Sequence, residues 1–128
     1  MADTEKITIN ISAVDLGRID LLAEEGFYSN RTDFIRTAIR KELDIHREIV
    51  GKSVERRLAA VGVVTYNRRS LEALEKKNEK VTINVVGGVV LAKDITPDLA
   101  LKTIQRLKVH GILRAPQAVK DALAGRME

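Results

Sequence analysis

The stretch Lys6-Ile7-Thr8-Ile9-Asn10-Ile11-Ser12 alternates strictly between polar and apolar residues and stands directly before two helical patterns. Side chains alternate across a strand, so Ile7, Ile9 and Ile11 share one face while Lys6, Thr8, Asn10 and Ser12 share the other. Thr8 and Asn10 each donate and accept hydrogen bonds, and Lys6 adds a cation. Such a face suits the base edges and phosphates of a DNA major groove, which admits a two-stranded β-ribbon. A lone strand of this length has no ladder partner, and no second strand precedes the helices. The expected partner is therefore the same strand of a second chain. Alternation alone is equally satisfied by an amphipathic edge strand packed on its own helices.

Working outward, Ser12 is placed to cap a first helix with Leu16, Ile19, Leu22 and Ala23 on one face. Gly17 inside it costs about 1 kcal/mol against Ala, and Gly26 ends it, since glycine readily takes the left-handed conformation. After the turn Phe27-Tyr28-Ser29-Asn30, a second helix starts between Asn30 and Thr32, with Asp33 in the first turn where the helix dipole favours an anion. Its apolar face is Phe34, Ile35, Ala38, Ile39 and Leu43. The pattern continues through Ile45, Ile49 and Val50, and Gly51 is the expected interruption before Val54 and Leu58 resume a helical spacing.

From Val61 the period switches between strand and helix three times. Val61 to Tyr66 reads as a strand and Asn67 to Lys77 as a helix with Leu71 and Leu74 inward. Val81 to Ala92 is β-rich and broken by Gly87-Gly88, which predicts two strands or one sharply bent. Thr96-Pro97-Asp98 combines a hydroxyl cap, proline at the first helical position and an acid. The helix it opens is expected to bury Leu99, Ile104 and Leu107. Ile112-Leu113 then forms a brief strand, and Pro116 opens a last helix with Val119 and Leu123. An internal echo links these segments as three units of strand, polar turn and short helix. The organisation read from this pattern is residues 1–50, a helical linker at 51–60, and a small α/β domain at 61–128.

Composition narrows the function classes. Of 128 residues, 45% are hydrophobic and 31% charged, as in a folded domain, and aromatics are only 3%, too few for stacking platforms, so any nucleic acid bound is expected to be duplex. The net charge of +4 is uneven: residues 1–60 hold 10 Lys+Arg against 11 Asp+Glu, residues 61–128 hold 12 against 7. The excess basicity lies away from the polar strand, so placed residues rather than net charge must carry any case for DNA. There is no cysteine, which removes disulfides, thiolate metal sites and cysteine nucleophiles. The opening Met1-Ala2-Asp3-Thr4-Glu5 is acidic and does not read as a signal peptide, and no apolar run reaches the ~18 residues of a membrane span. A cytoplasmic protein without membrane association is expected.

The string Tyr28-Ser29-Asn30-Arg31-Thr32-Asp33-Phe34-Ile35-Arg36-Thr37-Ala38-Ile39-Arg40 resembles the second-helix signature of the ribbon-helix-helix superfamily, in which a Ser/Asn-Arg-Ser/Thr-acid start precedes an Ile-Arg-x-Ala-Ile-Arg body. With the alternating strand and the Gly26 break, the likeness covers roughly residues 5 to 44 and is closest to CopG-like regulators. The resemblance implies an α+β fold. Its N-terminal part would be a swapped homodimer, a two-stranded antiparallel ribbon with four helices, binding double-stranded DNA as a transcriptional regulator, in the first instance a repressor. The outward strand positions that contact bases fall on Lys6, Thr8 and Asn10, and the phosphate clamp falls on Asn30, Arg31 and Thr32. Physically, Asn10 suits bidentate pairing with adenine and Lys6 with guanine, and a helix N-terminus binds phosphate even where net charge is near zero. Asn30 and Thr32 also serve simply as helix caps, and Arg36 and Arg40, four apart, read as solvated or paired with acids.

The remaining motifs point away from catalysis and metals. His46 and His110 have no second ligand at coordinating spacing, so neither a metal nor a cofactor is expected. Gly87-Gly88 lacks the spacing and lysine of a phosphate-binding loop, and no nucleophile, base and orienting group can be assembled, so no enzyme is expected. Residues 61–128 are too long and regular for a tail. Within the superfamily such additions form higher homo-oligomers or bind an effector. The alternative is an antitoxin whose C-terminal segment folds on a toxin partner; those segments are short and acidic, whereas this one is basic and contains capped helices.

Overall fold

A computed structural model of the chain describes residues 4–127, so Met1, Ala2 and Asp3 of the acidic opening lie outside the described residues. The chain divides into two compact units: Lys6–Lys52, and the residues from Ser53 onward together with Thr4 and Glu5.

The second unit is built from three strand-helix steps. β1 (Ala60–Tyr66) leads to α4 (Arg68–Lys76), β2 (Val81–Leu91) to α5 (Pro97–Thr103), and β3 (Ile104–Arg114) to α6 (Gln117–Leu123) and a closing 3-10 turn, Ala124–Arg126. Helical crossovers make neighbouring strands parallel, and the sheet order is β1-β2-β3. Val64, Val89 and Leu113 stand in one register row, so the echo read from the sequence is a structural repeat. Ile83, Val85, Val89 and Leu91 of β2 point into a core shared with Leu71 of α4, Leu99 and Ala100 of α5, and Val119 and Leu123 of α6. The helices thus cover one face of the sheet.

Local chemistry starts each helix. Asn67 accepts from the Ser70 N–H at 2.8 Å while Ser70 Oγ accepts from the Asn67 N–H at 3.1 Å, a reciprocal cap that satisfies two orphan donors. Thr96 Oγ1 accepts from the Leu99 N–H at 3.2 Å ahead of Pro97, as the sequence predicts. Thr103, fully buried, donates its hydroxyl to the Leu99 carbonyl at 2.7 Å, so burial leaves no unpaired polar group there.

One open alternative is decided and two expectations are corrected. Gly87-Gly88 does not divide its strand: β2 runs unbroken, and Gly62, Gly87 and Gly111 form a row across the sheet with φ of 138°, 138° and 133°. A Cβ at Gly87 would run into the Gly62 carbonyl, and one at Gly111 into the Gly87 carbonyl, so glycine is what lets the strands approach here. Secondly, α5 ends at Thr103, and Ile104 and Leu107, buried as expected, belong to β3 instead of the helix. The strand spans 11 residues instead of a short Ile112-Leu113 segment; Arg106, Lys108 and His110 on its outer face disguised it as polar helix. Thirdly, the helical run after α2 breaks at His46, not Gly51. α3 (Arg47–Arg57) passes through Gly51, where an exposed interior glycine costs only about 1 kcal/mol.

In the first unit, α1 (Ala13–Glu24) and α2 (Arg31–Ile45) follow residues 6–12, which belong to no β-ladder within the single chain. Ser12 Oγ accepts from the Asp15 N–H at 3.1 Å, making it the predicted cap of α1. At the other end, the Gly26 N–H donates to the Ala23 carbonyl and the Phe27 N–H to the Leu22 carbonyl. Gly26 sits at φ 90°, which is the Schellman closure glycine permits.

Candidate nucleic-acid interface

Residues 6–12 are exposed throughout. Lys6, Thr8 and Asn10 are therefore accessible, and so are the isoleucines between them: Ile7 is 74% exposed and Ile9 69%. Water-facing isoleucines in a β-forming segment mean that one face of it lacks the apolar surface it is suited to cover. The same holds across the unit. Ile35, Ile39 and Leu43 of α2 stand open, and Ile19 at 7% is the buried large hydrophobic residue among the described residues of this unit.

The start of α2 is held by three short-range devices. Asn30 Oδ1 accepts from the Asp33 N–H at 2.8 Å, and Asp33 Oδ2 accepts from the Ser29 N–H at 2.9 Å. The rings of Tyr28 and Phe34 meet edge to face, with centroids 5.0 Å apart and planes at 83°, which fixes the turn against the helix. Phe34 N–H reaches the Asn30 carbonyl at 3.2 Å. By helix geometry the N–H groups of Arg31 and Thr32, at the first two helical positions, have no intrahelical acceptor, and they carry the positive end of the helix dipole. With Asn30 Oδ1 used in the cap, its side-chain NH2 remains the group to donate outward.

The Arg31 side chain, expected with its backbone amide in the phosphate clamp, has a partner within the chain. Its Nε donates to Asp20 Oδ1 at 2.8 Å and its Nη2 to Asp20 Oδ2 at 2.9 Å, a bidentate pair that ties α1 to the start of α2. The Arg31 hydrogen bond holds the Asp20 carboxyl below its usual range, and Asp20 raises the already high Arg31 value. Asp20 was missed by the sequence reading. Its signal is weak, since nothing local links two residues 11 apart in sequence; only the turn between the two helices around Gly26 brings them together.

Of the six sequence-predicted positions, Asn30, Arg31 and Thr32 thus cluster at one helix end, while Lys6, Thr8 and Asn10 lie on a separate exposed segment. Among the described residues no group of three His, Cys, Asp or Glu side chains could hold a metal ion, and His46 instead meets Glu42 across one helical turn at 3.2 Å. No helix of the described residues is long and apolar enough to cross a membrane.

No curated protein and no solved structure matches the chain. A family model, by contrast, matches nearly its whole length, residues 2–120, covering the alternating segment, both helices of the first unit and most of the second. On that extent the chain belongs to the ribbon-helix-helix transcriptional regulator family.

Proposed function

We propose that this regulator is an operator-binding repressor. In this reading two chains pair Lys6–Ser12 as an antiparallel ribbon, insert Lys6, Thr8 and Asn10 into the major groove, and bind flanking phosphates at the starts of both α2 helices. The carrying observation is the exposure of Ile7, Ile9 and Ile11 on one side of a segment whose other side is Lys6, Thr8 and Asn10. Pairing with a second copy covers the isoleucines and leaves the polar face outward. Dimerisation also doubles each cation and each helix end, so a unit of near-neutral charge acquires a local positive potential.

Roles divide by chemistry. Asn10 reads adenine and Lys6 guanine, and Thr8 accepts either kind of edge. The N–H groups of Arg31 and Thr32, with the Asn30 amide, take the phosphate oxygens. Because Arg31 is engaged with Asp20, its side chain acts chiefly to orient the helix start. The second unit serves as a self-association module. Its own buried core speaks against the antitoxin alternative, in which this region would gain structure only on a toxin.

The test is Asn10→Ala in a binding assay on the operator, found by mapping bound genomic sites, and on unrelated duplex. Specific affinity should fall by about 1–3 kcal/mol while nonspecific binding stays constant. An equal fall on both duplexes would remove Asn10 from base reading. Loss of repression at a mapped promoter in the same variant tests the regulatory sign.

A further inference from the structure

The two edges of the parallel sheet are treated differently. On the β3 side, Met127 bridges to Leu107, and Arg126 Nη1 donates to the carbonyls of Leu101 and Ile104, the latter at 2.7 Å, locking the closing turn in place. On the other side, β1 has β2 as its sheet neighbour and ends the sheet. Its sequence, Ala60-Val61-Gly62-Val63-Val64-Thr65-Tyr66, contains no charge and no proline, and its first four residues are all exposed, Val61 at 71% and Val63 at 48%. Folded proteins blunt a bare edge with lysine, proline or a covering segment, because its unpaired N–H and C=O groups are a template for another strand. The β3 edge is blunted in this way and, among the described residues, the β1 edge is not.

We propose that β1 pairs with β1 of a second copy of this chain, antiparallel across a two-fold axis, joining two three-stranded sheets into one of six strands. Three observations select this occupant. A two-fold axis at a strand edge requires antiparallel pairing and presents the same residues from both sides, so an uncharged strand meets itself without like-charge repulsion. The uncovered face of the sheet carries an apolar groove of about 350 Å³ lined by Val61, Val63, Val86, Val90 and Ile112, and this groove reaches the same edge. Pairing at β1 makes it continuous across the axis, one longer apolar surface on the same side of the joined sheet. Finally, regulators of this family typically dimerise, which supplies the second copy.

The chain's lack of cysteine makes the test direct. Val61→Cys, Val63→Cys and Thr65→Cys are made singly in the full chain, with Gln105→Cys, exposed on the opposite edge strand, as the reference. Each is oxidised mildly and resolved without reductant, and each is labelled with a maleimide. Disulfide geometry demands close Cβ atoms, so the position nearest the axis should form a two-chain species about tenfold faster than Gln105→Cys, and its neighbours more slowly. If none outpaces the reference, the proposal fails. Fast labelling would then show a bare edge, and slow labelling an edge covered by a different segment. The outcome is separate from DNA reading, because Asn10→Ala probes the first unit and leaves these positions untouched.

Discussion

The two units of the chain solve the same problem by different means. The second, from Ser53, sequesters its apolar residues internally: Leu71, Val89, Ile104, Val119 and Leu123 are all essentially inaccessible to water. The first, Lys6–Lys52, carries as strong an apolar pattern, yet leaves Ile7, Ile9, Ile35, Ile39 and Leu43 open. A residue pattern therefore does not say whether its partner surface lies in the same chain. The difference follows from topology. Three strand-helix steps let a sheet and its helices close on each other, whereas two helices and one extended segment have too few layers to enclose more than Ile19. An apolar face left open within the chain is what the proposed pairing with another copy would cover.

The sharpest way to break this comparison is Ile9→Asp. In the ribbon dimer each substitution occurs twice and puts a carboxylate into a shared apolar core, where burial of an unpaired charge costs several kcal/mol. Dimerisation through the first unit and specific DNA binding should both be lost, while the thermal transition of the second unit stays in place. Sedimentation and calorimetry on the same sample check both halves of that statement. A dimer that persists through the ribbon would refute intertwining. Leu71→Ala is the counterpart in the other unit. Removing a fully buried leucine side chain should cost about 2–5 kcal/mol, read from chemical unfolding. That loss should not depend on protein concentration, since the core it damages lies within one chain. A loss that shrinks as concentration rises would mean that the core around Leu71, and not only the β1 edge, borrows stability from a partner.

Much of this arrangement is legible in the sequence, and the legible part is local. Ser12, Asn30, Asn67 and Thr96 cap the helices that follow them because a cap is decided within four residues. Gly26 closes α1 for the same reason. What the sequence hid depends on partners far along the chain. β3 looked helical because its outer face accepts Arg106, Lys108 and His110, and only pairing with β2 makes Ile104 to Arg114 one strand. Gly87 looked like a break, yet its conformation is shared with Gly62 and Gly111 and is set by a neighbour's carbonyl. In the candidate interface, the cap at Asn30 is legible locally, while the pairing of Arg31 with Asp20 depends on a partner no spacing rule supplies.

That pairing gives the smallest expected effect and the finest test of how the first unit holds together before it meets a partner. Asp20 is pulled below its ordinary carboxyl value by the Arg31 hydrogen bond, so its folded form binds the proton less readily than its unfolded form. The stabilisation is therefore fully present above the usual carboxyl range and fades as pH falls through the lowered value. The Arg31 shift is upward from a guanidinium value already far above neutral, so it adds no change at ordinary pH. Both side chains are about half exposed, so salt screens the pair and the gain is small. Asp20→Asn should lower the melting temperature of the first unit slightly near neutral pH, and the gap from the parent should close both on acidification below about pH 4 and in molar salt. A gap that persisted in acid would mean that Asp20 acts through its shape or its α1 environment, leaving the Arg31 side chain available for phosphate after all.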